Sequence, residues 1–105
     1  MAGQFVSNLF PRPTPSQTDE RLAVSSSAVP FGTNWKTVNT NRFVVLDVQT
    51  NDVMCTFDGS TPTATNGHRL YQGRAYTWST AMASAAKFIR QAGTDAVIHA
   101  SECQL

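Results

Sequence analysis

The segment from Val53 to Gly67 restricts this chain more than any other. Val-Met-Cys-Thr-Phe reads as a short strand, and it runs into Asp58-Gly59-Ser60-Thr61-Pro62-Thr63-Ala64-Thr65-Asn66-Gly67. Residues of these types bond to nearby backbone groups and adopt turn dihedrals, so they form no helix and fill no core. A turn this long, closed by Asn66-Gly67 in a chain of 105 residues, takes a large share of the surface. The segment carries no nucleophile–base pair, metal cluster or phosphate loop. It points to a scaffold or interaction module, and the chain is not expected to be an enzyme.

The length sets one domain with a single modest core. Hydrophobic residues make up 41% and charged residues only 14%, the latter well below the usual quarter. Ser and Thr supply the missing polarity, which suits β-structure with uncharged faces. A formal net charge of +1 leaves no basic field to hold a phosphate backbone, so nucleic acid is not an expected partner. No apolar run approaches the roughly 20 residues that span a bilayer. Met1-Ala2-Gly3-Gln4 lacks the basic start of a signal peptide. The expectation is a soluble protein made in a cytoplasm, with no membrane partner.

Cys55 and Cys103 are the only cysteines. Without a secretion signal they read as two reduced thiols acting as small apolar side chains. The alternative is a disulfide tying the chain end to the middle of a sheet. His68 and His99 would complete a Cys/His set of four, but no pair has the short spacing of zinc sites. No metal and no cofactor is expected.

Residues 1–20 read as an extended arm and residues 21–105 as a β-sandwich domain. Phe5, Val6, Leu9 and Phe10 form an apolar cluster, followed by Pro11-Arg12-Pro13-Thr14-Pro15. Alternating prolines stiffen the chain and remove amide donors. Four apolar side chains on a stiff leash need burial, either as an edge of their own domain or on a neighbouring subunit. The neighbour is the expected site, which makes Phe5, Val6, Leu9 and Phe10 candidate partner contacts.

From Leu22 onward the texture is that of strands. Arg21–Ser25 is a weak first strand and Trp35–Val38 a possible second. Phe43–Gln49 is the strongest, with Val44, Leu46 and Val48 on one face, predicted to be core. Val53, Cys55 and Phe57 repeat the alternation after Thr50-Asn51-Asp52, so the two runs read as an antiparallel hairpin. His68–Tyr71 and Ala75–Trp78 follow. Between Met82 and Ala92, one or two helical turns near Ser84, capped by Ser79 or Thr80, precede an extended Lys87–Arg90. Ala96–Glu102 is a final strand, with either Ile98 or Val97 and either Phe88 or Ile89 in the core. Strands this short and this regularly spaced predict an all-β fold, mainly an antiparallel, jelly-roll-like β-sandwich with at most one short helix.

Phe57-Asp58-Gly59-Ser60-Thr61-Pro62-Thr63-Ala64-Thr65-Asn66-Gly67-His68, followed by Ala86-Lys87-Phe88-Ile89-Arg90 and Asp95-Ala96, resembles a pattern in small virion structural proteins of tailed bacteriophages. The resemblance covers roughly Val44 to the end. It implies a β-sandwich of the virion. Some such sandwiches decorate or cement capsids, and others sit on tails, necks or fibres.

Asp58 reads as the first residue of a β-turn bonding its own backbone, since no second carboxylate lies near it for calcium or acid catalysis. Trp35, Tyr71, Tyr76 and Trp78 flank turns, where aromatic residues either anchor interfaces, stack on sugars or cap the core. They are the sandwich's candidate partner contacts. The expected function is capsid decoration or cementing through arm and sandwich, alternatively a tail, neck or fibre part that binds a carbohydrate receptor. The expected partners are other virion proteins, the major capsid protein first. Few charges and a sticky arm favour a homo-oligomer, a trimer above all, located in the virion and made in the host cytoplasm.

Overall fold

A computed structural model of the protein describes residues 12–13, 19–32 and 42–104. Nine strands occur among them: β1 (Arg12–Pro13), β2 (Asp19–Val24), β3 (Val29–Pro30), β4 (Arg42–Gln49), β5 (Val53–Thr56), β6 (His68–Leu70), β7 (Ala75–Ser79), β8 (Lys87–Arg90) and β9 (Ala96–Gln104). One helix, α1 (Thr80–Ala85), lies between β7 and β8. Phe5, Val6, Leu9, Phe10 and Trp35 fall outside the described residues.

The strands form two sheets. One has the order β2-β9-β4-β7, with β1 also alongside β9; the other is β3-β8-β5-β6. The pairs nest: β5 with β6, β4 with β7, β3 with β8 and β2 with β9, all antiparallel. Successive pairs alternate between the two sheets. A chain paired this way is one long hairpin, bent at residues 57–67 and rolled up, which is the jelly-roll arrangement. Among the described residues the fold is therefore the all-β sandwich, with a single short helix, that the strand spacing predicts.

The expected hairpin between Phe43–Gln49 and Val53–Phe57 does not form. β4 lies between β9 and β7 in one sheet, whereas β5 lies between β8 and β6 in the other. The turn between them, with Thr50 at φ 75°, carries the chain across the sandwich. Each strand thereby gains two neighbours, and backbone groups on both of its edges are paired.

Val44, Leu46 and Val48 are buried between the sheets, as the alternation of β4 predicts. Ile98 and Ala100 of β9 lie beside Val48 and Leu46, while Trp78 and Tyr76 of β7 lie beside Val44 and Leu46. Val53, Cys55, Leu70 and Phe88 join the same core from the other sheet, with Phe57 packed at its margin. β5 is buried at all four positions. Met54 sits between Arg69 and Ile89 in register, and Thr56 opposite Lys87.

Aromatic rings run through the core in a row. Phe31 meets Phe88 edge-on at 4.8 Å, Phe88 stacks on Trp78 at 6.0 Å, and Trp78 meets Phe57 edge-on at 5.0 Å. The row ends at the surface, where Phe57 and His68 are 5.7 Å apart. α1 starts where the Ser79 hydroxyl accepts a hydrogen bond from the Met82 amide at 3.1 Å, the N-cap that the sequence offers. It stops at Ala86, already extended, because Lys87–Arg90 is claimed by the ladder with β5. Cys55 and Cys103 are both free thiols, the first buried. Burial pushes the Cys55 thiol up to about 12.

Candidate interaction surface

The nested pairing gathers the turns after β2, β4, β6 and β8 at one end of the sandwich. Asp52 holds this end together. One carboxylate oxygen accepts from Arg69 Nε at 2.9 Å and Nη2 at 2.6 Å, and the other accepts from the Gln72 amide at 2.8 Å. Its own carbonyl accepts from the Gln91 amide at 3.2 Å, and the neighbouring Asn51 side chain donates to the Asp95 carbonyl at 3.1 Å. Three connections are thus tied through two adjacent residues of a tight turn.

Tyr71 projects from this knot, 47% exposed. The guanidinium carbons of Arg69 and Arg74 each lie 5.4 Å from its ring centroid. Each such cation–π contact contributes about 0.5–1 kcal/mol at an exposed site. The Tyr71 amide donates to the Tyr76 hydroxyl at 2.9 Å, which fixes the backbone beneath the ring. Arg69 is neutralised by Asp52, but Arg74 makes no ion pair among the described residues. The result is a rigid, exposed Tyr beside an unneutralised Arg, the two residue types most enriched where interfaces bind tightly, after Trp.

The Gln72 amide and the Arg69 guanidinium hold the Asp52 carboxyl below its ordinary 3.8. A carboxyl depressed in the fold adds stability at pH values above its unfolded pKa and loses it as pH falls through the folded value. Asp52→Asn is expected to cost about 1–2 kcal/mol near neutrality, the range for a charge-assisted bond to a partly exposed partner. In thermal melts of the two proteins the gap in Tm narrows as pH drops below 3.8. A gap independent of pH would mean that the charge of Asp52 contributes nothing.

The opposite end carries the turn of residues 57–67, which is internally braced. Asp58 Oδ1 accepts from the Ser60 amide at 3.0 Å and from its hydroxyl, the turn role that the sequence predicts; these bonds keep its carboxyl below the ordinary value. Thr56 Oγ1 donates to the Ser60 carbonyl at 2.6 Å, and Lys87 Nζ donates to the Gly59 carbonyl at 3.1 Å. Thr63 and Asn66 close the tip with reciprocal backbone bonds of 3.0 and 3.3 Å. Behind the turn lies an open depression of about 380 Å³ lined by Thr56, Phe57, Asp58, Ser60, Asn66, Gly67 and His68.

Of the candidate contacts on the sandwich, Tyr71 is exposed and Tyr76 half-buried. Trp78 is only 7% exposed; its ring is sandwiched in the aromatic row and has no free face to offer a partner. Of the three roles open to it, it fills the core role. Arg74 and Asp52 complete the surface and were not singled out by the sequence reading, although Arg69, Tyr71 and Arg74 stand close together in the chain. Among the described residues, no group of three His, Cys, Asp or Glu is placed to hold a metal ion. No helix there is long and apolar enough to cross a membrane. Compared with known protein families, with curated proteins and with solved structures, the chain matches none.

Proposed function

We propose that this chain is a structural protein of a bacteriophage virion, a capsid decoration or cement protein that holds to the shell through its N-terminal arm and the Tyr71 end of the sandwich. The observation that carries the reading is the nested jelly-roll pairing, an architecture that recurs in viral capsid and lectin domains. Because one fold serves many functions, the reading also leans on the resemblance at residues 57–68 and on the rigid Tyr71–Arg74 patch. The major capsid protein is the intended partner, and a trimer would present several weak contacts at once, turning modest single affinities into firm attachment.

Mass spectrometry and immunogold imaging of purified particles test this directly. The expected result is the chain present on the shell in copies on the order of hundreds, consistent with repeated symmetric sites. A dozen or fewer copies at one vertex would replace decoration by a tail, neck or fibre role. Particles free of the chain would overturn the virion reading. If the patch is a contact, the double change Tyr71→Ala and Arg74→Ala lowers shell occupancy about tenfold or more, the scale of a lost interface anchor.

A further inference from the structure

We infer that the depression behind residues 57–67 is a binding site for a neutral, hydroxyl-rich ligand, a short glycan. The wall is apolar: the Phe57 and His68 rings stand 5.7 Å apart at the surface end of the aromatic row, a fit for the C–H face of a sugar ring. Around that wall stand polar groups with unspent bonding capacity. Asp58 uses Oδ1 on Ser60 and leaves Oδ2 to accept. The Asn66 side-chain amide and the His68 ring nitrogens make no hydrogen bond among the described residues, so between them they can both donate and accept. A ligand whose groups also do both satisfies this set better than one offering a single kind.

Charge narrows the class. Lys87 is turned onto the Gly59 carbonyl and does not line the depression. Ser60 bonding keeps the Asp58 carboxylate ionised down into acid. An anionic ligand would meet the Asp58 charge in a lining that holds no Lys or Arg, so sulfated and carboxylated sugars are disfavoured. The depression, at about 380 Å³, lies at the small end of ligand pockets and admits one or two sugar residues. The site is also set before the ligand arrives: the Thr56–Ser60, Lys87–Gly59 and Thr63–Asn66 bonds spare the ligand the cost of ordering the turn. This inference stands apart from shell attachment, since the depression and the Tyr71 patch lie at opposite ends of the sandwich.

The test is a titration of the isotope-labelled full-length protein, followed by amide NMR. The probes are methyl glycosides of glucose, galactose, mannose and N-acetylglucosamine, with glucuronic acid and glucosamine as charged comparisons. The expected result is saturable shifts at Phe57, Asp58, Ser60, Gly67 and His68 with at least one neutral glycoside. Glucuronic acid should cause little change. Asn66→Ala and Asp58→Asn should each weaken that binding about tenfold, with a dispersed spectrum showing that both variants are folded. No saturable shift with any neutral glycoside would overturn the inference. So would a response to glucosamine alone, which would mark a carboxylate site for amines.

Discussion

Phe88→Ala is expected to remove about 3–5 kcal/mol of stability, the range for deleting a buried aromatic ring. Phe88 has 0% exposure and is the second ring of the aromatic row, stacked on Trp78 with the ring planes 2° apart and met edge-on by Phe31. Truncation therefore strips partners from two further rings and leaves a cavity between the sheets. For a domain whose whole stability is on the order of 5–15 kcal/mol, that loss brings the variant close to unfolding at ordinary temperature. Urea unfolding of both proteins measures it. Phe57→Ala, at the margin of the same row, should cost clearly less. A Phe88→Ala loss under about 1 kcal/mol would mean that the sheets close over the gap and that the row does not hold them apart.

Gly67→Ala should cost about 2–5 kcal/mol, through backbone strain and overpacking together. Gly67 has φ +138°, and a β-carbon there would come 2.8 Å from the Cys55 carbonyl oxygen. That oxygen belongs to β5, buried in mid-sheet, so it cannot move aside cheaply. Gly59 and Gly73 serve as comparisons: their φ values are +86° and +83°, but nothing lies near the added carbon. Alanine at either should cost only about 1–2 kcal/mol. Equal losses at all three glycines would show that backbone conformation alone sets the cost, and that the approach to Cys55 is not tight.

Period-two alternation was enough to read β4, because one of its faces meets the core and the other does not. The same rule located Cys55 and Val53 but had nothing to say about Met54 and Thr56, which are buried although they alternate with the core positions of β5. Pairing was harder. Thr50-Asn51-Asp52 has the composition of a hairpin turn, and composition does not distinguish a turn within a sheet from one that crosses between sheets. The role of Trp78 depends on Phe88 of β8 and Phe57 of the 57–67 turn, so local sequence left both core and surface open. Tyr71 was visible only as one of four aromatics beside turns, and its exposure came with the structure. The Asp52–Arg69 bond that steadies it joins residues brought together only by the finished sandwich. The crowding at Gly67 is likewise a property of the fold, since Asn-Gly reads as an ordinary turn.

The nested pairing also dictates an order of assembly. β9 leaves the ribosome after every other described strand, yet its place is in the middle of its sheet, between β2 and β4. Until it arrives, β2 has no strand beside it, and β4 keeps a bare edge lined with Val and Leu. The bend at residues 57–67 can bring β5 to β6 and β4 to β7 early, because the loops to be closed are short. The outermost pair joins residues about as far apart as the chain allows, which is the slow kind of closure. The inner pairs can therefore wait half-built, but the sandwich shuts only when β9 is available to fill the gap between β2 and β4.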